Sequence, residues 1–317
     1  MSIRYVIVES EVGAGTRGAS LGFKAMEVVG WNNKSETLSK YNHKTVEVYN
    51  QNLYQEVDTP NAIRIDTVVK VLENVTEAVH TAMETEFPIV LSGDHSIAAG
   101  TIAGMKKAYP NKRLGVVWID AHADIHSPYT TPSGNVHGMP LGSALGLDNL
   151  ELKINELSEK EVAAWNKMKG LSGVIPNVLP EDTVYFGVRD TEEQEDKIIA
   201  KHQIRNYRVE EVRHRGMDVC ISEAIERLDN CDMIYISFDV DSMDCDLISH
   251  GTGTPVSKGF DEKEIKEIIT AFIETEKVGC LEFVEINPTL DEKKNKMAET
   301  AFEILEDVLP QIEKVNQ

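Results

Sequence analysis

Seven short apolar, β-rich runs, separated by stretches long enough for a helix, leave this chain few ways to fold. They cover residues 3–9, 88–91, 114–119, 183–188, 204–209, 233–238 and 279–286. Their recurrence between amphipathic helical stretches is what a parallel sheet flanked by helices requires. Helical spacing appears between them. Ile65, Val68, Leu72, Val75 and Val79 recur on one face of 65–85, with Asp66 in the first turn. Further helices are expected over 98–108, 192–201, 218–228, 261–275 and 294–313. Parallel strands need such crossovers, so the predicted class is α/β, a doubly wound three-layer fold with a mostly parallel central sheet. No repeat, low-complexity run or linker breaks the pattern, and polar 150–173 reads as a helical excursion on the surface. At 317 residues the chain is expected to form a single domain, 1–317.

Charge narrows the partners. Lys+Arg 32 against Asp+Glu 53 gives a formal charge of −21, which repels nucleic acid and anionic membranes. No apolar run is long enough to cross a bilayer, and MSIRYVIVES does not read as a signal peptide. Cys220, Cys231, Cys245 and Cys280 fit neither a disulfide framework nor a paired zinc pattern, so a reducing, cytoplasmic setting is expected. The sequons at Asn33 and Asn74 carry no meaning there.

Polar clusters sit just past strand ends: Gly93-Asp-His95, Asp120-Ala-His122-Ala-Asp124, Asp239-Val-Asp241 and Glu285. In open parallel sheets the ligand crevice lies outside the carboxyl ends of the strands. Asp120, His122 and Asp124 alternate, so at a strand end all three can face one way; Asp239 and Asp241 repeat the device. Desolvating so many carboxylates and imidazoles together is prohibitive without a cation. The mixed ligand set suits Mn, Fe or Zn better than Ca or Mg. The carboxylates outnumber what one divalent ion needs, and two ions roughly 3.5–4 Å apart with shared carboxylates are the economical arrangement.

Ser92-Gly-Asp-His95-Ser, Asp120-Ala-His-Ala-Asp124 and Ser237-Phe-Asp-Val-Asp241 resemble the three signature motifs of the arginase/agmatinase ureohydrolase family. Gly251-Thr-Gly-Thr-Pro255 and Glu285-Ile-Asn-Pro288 add two more segments typical of it, in the right order across most of the chain. The resemblance implies an arginase/deacetylase-like fold, two Mn2+ per subunit and a homo-oligomer, a trimer or hexamer. It implies that His95, Asp120, Asp124 and Asp239 hold one ion. His122, Asp120, Asp239 and Asp241 hold the other, with Asp120 and Asp239 bridging.

The implied reaction is hydrolysis of a guanidino group to release urea. Two cations can lower the pKa of a shared water enough to hold hydroxide at neutral pH. The resemblance gives Glu285 the task of gripping the guanidinium, His137 that of carrying a proton to the leaving amine, and Asp124 a catalytic place beside them. Thr254 resembles a residue lining the guanidinium end of the pocket. The loop Thr130-Thr-Pro-Ser133-Gly-Asn135-Val-His137-Gly resembles arginases more than agmatinases, with Ser133 and Asn135 as donors to an α-carboxylate. Gly187-Val-Arg-Asp190-Thr-Glu192 resembles the stretch whose acid meets the α-amino group. L-Arginine, cleaved to L-ornithine and urea, is therefore the expected substrate. Two departures qualify it: His126 stands where arginases usually have Asn, and Glu192 where they have the shorter Asp. Agmatinase, guanidinobutyrase or formiminoglutamase activity is the alternative.

Readings from other classes are weaker. Gly13-Ala-Gly-Thr-Arg-Gly18 follows a strand and formally matches a dinucleotide-binding fingerprint, but 19–23 offers no clear helix start. A single-zinc deacetylase shares the broad architecture yet needs fewer carboxylates. A non-catalytic binding protein on the same fold has no reason to keep all six ligands with Glu285 and His137.

Overall fold

Leu114–Ile119 (LGVVWI) is buried at every position, and so are Glu86–Ser92 and Met233–Asp239. Strands with no solvent-facing side must lie between two helical layers, and the computed structural model, which describes residues 2–316, shows that arrangement. The strands are β1 (Ser2–Val8), β2 (Asn42–Thr45), β3 (Glu86–Ser92), β4 (Leu114–Ile119), β5 (Thr183–Phe186), β6 (Arg205–Tyr207), β7 (Met233–Asp239) and β8 (Val278–Val284). They form one eight-stranded sheet in the order β2-β1-β3-β8-β7-β4-β5-β6, and every pairing is parallel.

The helices are α1 (Gly22–Asn33), α2 (Ile65–Ala82), α3 (Ala98–Ala108), α4 (Pro140–Ala144), α5 (Glu159–Lys169), α6 (Glu193–His202), α7 (Val209–Arg215), α8 (Met217–Arg227), α9 (Glu262–Ile273) and α10 (Lys296–Val315). The two-residue period of the strands sorts the core into two clusters. Ile3, Tyr5 and Ile7 face α1 and α7–α10, while Val6 and Val8 face α2–α6. No helix of the described residues is long and apolar enough to cross a membrane.

All seven expected strands are present, with ends moved by a few residues. Several features were not anticipated, among them the short helices α4 and α7. β2 is an exposed edge strand, Asn-His-Lys-Thr, with no apolar signal to announce it. Helix α1 begins at Gly22, after a tight turn over Ala19–Leu21, where the glycines argued against a helix start. Segment 150–173 is more than a surface excursion: Trp165 and Met168 of α5 are buried in the core beside α2.

The chain starts at β1, steps out to β2 and back in to β3, crosses to β4 and winds outward through β5 to β6, and β7 and β8 fill the gap between β3 and β4. The carboxyl ends of four adjacent central strands, β3, β8, β7 and β4, therefore open on one rim. A crevice forms where the winding direction changes.

Candidate metal centre and active site

Each motif reaches this rim by a short excursion from its strand. His95 opens a single helical turn after β3, capped by the Asp94 carboxylate, which accepts from the Ser96 amide at 3.0 Å. Its backbone N–H donates to Glu285 Oε1 at 2.9 Å, while the Glu285 N–H donates to the Gly93 carbonyl at 2.8 Å. Gly93 has to be glycine, because a Cβ there would collide with the carbonyl oxygen of Ser10. Asp124 and Glu285 both hold the left-handed conformation, φ 49° and 66°. Non-glycine residues adopt it at a cost, and such strain concentrates at functional sites.

His95 Nδ1 stands 3.1 Å from Asp120 Oδ2, 3.0 Å from Asp124 Oδ2 and 3.1 Å from Asp239 Oδ2. Beside this group, His122 Nδ1 lies 3.0 Å from Asp241 Oδ2 and 3.6 Å from Asp120 Oδ1. Two clusters thus share Asp120: His95, Asp120 and Asp239 converge in one, and Asp120, His122 and Asp241 in the other. Asp239 belongs to the first, and its Oδ1 accepts from the Asp241 N–H at 2.8 Å.

Burial, then repulsion from neighbouring carboxylates, pushes the carboxyls of Asp124, Asp239 and Asp241 upward. Burial opposes charging of His95 and His122, yet the surrounding acids outweigh it and raise both well above the ordinary imidazole value. The buried His95 Nδ1 and Asp120 Oδ2 have no hydrogen-bond partner. Orphaned ligand atoms among crowded acids that cling to protons are what a cation site looks like without its cation. The donor set fits divalent metal ions.

A cavity of about 270 Å³ opens over these groups and is lined by His95, His122, Asp124, Asp239, Asp241 and Glu285 at its floor. His137 Nδ1 faces Glu285 Oε1 at 3.3 Å; burial opposes its charging, but Glu285 prevails and raises its pKa. Thr254 donates to Asp241 Oδ2 at 3.0 Å, so it both lines the cavity and holds a metal-cluster acid. Ser133, Asn135, His126 and Glu192 line the cavity too. His126 has both ring nitrogens engaged, Nδ1 with Thr130 Oγ1 at 3.0 Å and Nε2 with Glu192 Oε2 at 3.2 Å.

Every residue singled out from sequence lies in this cavity or directly beneath it. Glu195 was missed: it is buried at the mouth, with Oε2 3.8 Å from His126 Nε2. The available signal was its place three residues after Glu192, with which it forms a capping box at the start of α6. Asp190, 3.7 Å from His122 Nε2, also lines the cavity. The glycine-rich turn serves the rim instead of a nucleotide. The Gly13 N–H is spent on Asp94 Oδ2 at 3.1 Å and the Gly18 N–H on Glu11 Oε2 at 2.7 Å, so acids occupy the amides a phosphate would need.

A doubly wound parallel sheet with paired acid–histidine clusters at its switch point is an arrangement suited to a metal-dependent hydrolase. The family model described as "Arginase family" matches residues 5–310, and the chain belongs to that family. It is 33% identical over 312 residues to an arginase of Bacillus caldovelox, covering 96% of each chain. Among solved structures, the arginase of Bacillus subtilis superposes with a TM-score of 0.83 at 31% identity, covering 98% of both chains. The arginase of Entamoeba histolytica in complex with L-ornithine gives 0.79 at 29% identity, over 98% of this chain and 99% of that one.

Proposed function

We propose that this chain is a two-manganese amidinohydrolase that converts L-arginine to L-ornithine and urea. The observation that carries the reading is the sharing of Asp120 between two clusters, each with one histidine and further carboxylates. His95, Asp120, Asp124 and Asp239 would hold one ion, and His122, Asp120, Asp239 and Asp241 the other. Predominantly carboxylate donors with two imidazoles favour manganese. When bound, the ions supply positive charge that ionises a water at neutral pH and polarises the site.

The chain's own residues do the rest. Glu285 accepts hydrogen bonds from the planar guanidinium and fixes its carbon over the floor of the cavity, so that attack becomes nearly unimolecular. Asp124, whose carboxylate borders the cavity, accepts a hydrogen bond from the attacking water and orients it. As the bond between the guanidino carbon and the chain nitrogen breaks, that nitrogen must gain a proton. His137, half-buried beside Glu285 and held towards its charged form, gives it up. Ser133 and Asn135 offer a hydroxyl and an amide to an α-carboxylate at the mouth, and Glu192 with Glu195 offers negative charge to an α-ammonium.

One observation favours a second reading. The cavity lining holds no Lys or Arg among the described residues, while Asp190, Glu192 and Glu195 crowd its mouth. His126 is already engaged with Glu192, leaving an α-carboxylate only neutral donors. Agmatine, which lacks that carboxylate, would meet no such penalty. Urea release from arginine, agmatine and 4-guanidinobutyrate, and formamide release from formiminoglutamate, with manganese stoichiometry on the same sample, tests both. Arginine as the best substrate with two Mn2+ supports the first reading; turnover confined to agmatine replaces it with the second. Absence of urea from arginine and from agmatine refutes both.

A further inference from the structure

Three further side chains converge at the mouth of the cavity. Around His126 Nε2 stand Glu192 Oε2 at 3.2 Å and Glu195 Oε2 at 3.8 Å, and one ligand atom from each residue lies within 4.8 Å of the other two. His126 and Glu195 are buried, while Glu192 is exposed. Two carboxylates thus crowd one imidazole nitrogen, which has at most one hydrogen to share between them. The nearer, Glu192, takes it. Glu195 is left with two backbone N–H groups, those of Ile125 at 3.4 Å and Glu192 at 3.2 Å, both at the long end for such bonds. A buried carboxylate so thinly held, lining a cavity with no Lys or Arg among the described residues, lacks a positive partner.

A divalent ion would supply one. Two ligands about 2.1 Å from a tetrahedral ion stand about 3.4 Å apart, and the separations from His126 Nε2 bracket that value. The imidazole can present a lone pair at Nε2. With its hydrogen on Nδ1 it donates to Thr130 Oγ1 at 3.0 Å, and the Thr130 hydroxyl has the Ser127 carbonyl at 3.4 Å for its own hydrogen. One imidazole and two carboxylates leave a fourth position to water, as in an open zinc site. Zinc binds such donors more tightly than manganese. His126 and Glu192, the two departures from the arginases this chain resembles, both belong to the group, and asparagine in place of the histidine would remove a ligand. We propose that His126, Glu192 and Glu195 form a third divalent-cation site, suited to zinc, whose occupation shuts out the α-ammonium of the substrate. The inference rests on reading Glu192 and Glu195 as the acids that meet that ammonium. A metal ion and an ammonium cannot share them, so excess zinc acts as a competitive inhibitor.

The test is zinc titration by calorimetry of protein already loaded with manganese, with released Mn2+ followed by electron paramagnetic resonance. It compares the unsubstituted chain with His126→Asn and Glu192→Gln. The unsubstituted chain should take up one zinc ion without releasing manganese, and L-ornithine, used as the probe of the ammonium position, should weaken that uptake. Removing even an outer partner of a metal ligand lowers affinity by about 10- to 100-fold, so each variant, which lacks a ligand, should lose at least that much. In steady-state assays zinc should raise KM for arginine and leave kcat alone. The rise should vanish in His126→Asn at the same zinc concentration. The Glu192 side chain is half exposed, so Glu192→Gln keeps the comparison open should His126→Asn fail to fold. The inference is overturned by no uptake of zinc, by zinc that enters only as manganese leaves, by variants that bind it as tightly as the unsubstituted chain, or by inhibition confined to kcat. Failure of the proposed reaction shows differently. No urea from arginine or agmatine removes the inhibitory role along with that reading, whereas urea release with no third ion overturns this inference alone.

Discussion

At the scale of single residues, the site divides into groups with different expected signatures. Glu285→Gln keeps a carbonyl oxygen for the His95 N–H but removes the charge that would face a guanidinium. Truncating one partner of a buried charge pair costs about 2–5 kcal/mol. A drop in kcat/KM of about 10²–10³ is expected, at about 1.4 kcal/mol per tenfold. Manganese stoichiometry, measured on the same sample, should stay at the unsubstituted value; loss of metal instead would place Glu285 in the ligand set. Asp239→Asn carries the opposite signature, because one oxygen of Asp239 faces His95 Nδ1 and the other accepts from the Asp241 N–H. At least one Mn2+ should be lost, and full two-ion occupancy would refute its bridging role. His126→Asn restores the amide usual in arginases and releases Glu192 to meet an α-ammonium. The ratio of kcat/KM for arginine over agmatine should rise about tenfold, ~1.4 kcal/mol. A ratio that stays put would show that His126 does not set the mouth.

At the scale of elements, the segment between β7 and α9 carries Asp241 and Thr254, and one side chain holds it. The Arg189 guanidinium donates to the carbonyls of Asp241 at 3.0 Å, Val256 at 2.8 Å and Ser257 at 3.0 Å, and also to those of Gly187, Ser242 and Met243. Lysine keeps the charge but cannot span so many acceptors, and buried carbonyls left unpaired cost about 1–3 kcal/mol each. Arg189→Lys should lower stability by about 2 kcal/mol or more, read from the urea midpoint. Arg213→Lys, at an exposed pair with Glu264, should cost less than about 1 kcal/mol. Equal losses would show that the clamp is unimportant. Nothing in the sequence announced this role, since Arg189 looks like any charged residue after a strand. The elements themselves were legible where burial forced a pattern. β4 was read to the residue, and Asp120-Ala-His-Ala-Asp124 disclosed its direction because alternation puts like residues on one face. β2 was not legible because an edge strand of four exposed polar residues buries nothing, and α1 was hidden by the glycines that start it. Of the site, the ligands were readable as motifs. The pairing of His126 with Glu192 and Glu195 was not, because it joins a loop to a helix start about seventy residues away.

At the scale of the whole molecule, stability and metal content should move together with pH. In the metal-free protein, burial and mutual repulsion raise the carboxyls of Asp124, Asp239 and Asp241 above the ordinary range. A group whose folded pKa is raised contributes stability that is complete below its unfolded pKa and is lost as pH climbs through the folded one. His95 and His122 carry the same sign, because their acid neighbours outweigh burial and hold them charged well above the ordinary value; their contribution is whole below about 6.5 and fades above it. Asp120 is shifted downward by His122 and His95 against the opposing effect of burial, so its contribution changes only in strong acid. From mildly acid to alkaline pH, the stripped protein therefore loses stability at the rim. Metal binding reverses the trend, since ligands that have shed their protons bind cations more tightly. A ligand at 1,000 times its Kd adds about 4 kcal/mol to the folded state. The difference in Tm between manganese-loaded and chelator-treated protein should widen steadily from pH 6 to pH 8.5, in scans at fixed ionic strength. The same difference should be smaller throughout that range in Asp239→Asn, which has one carboxylate fewer to repel its neighbours and one fewer to bind an ion. A gap that is constant or narrows with rising pH in the unsubstituted chain would mean that the rim acids are not gathered for cations, and the charge balance behind the proposed reaction would have to be sought elsewhere.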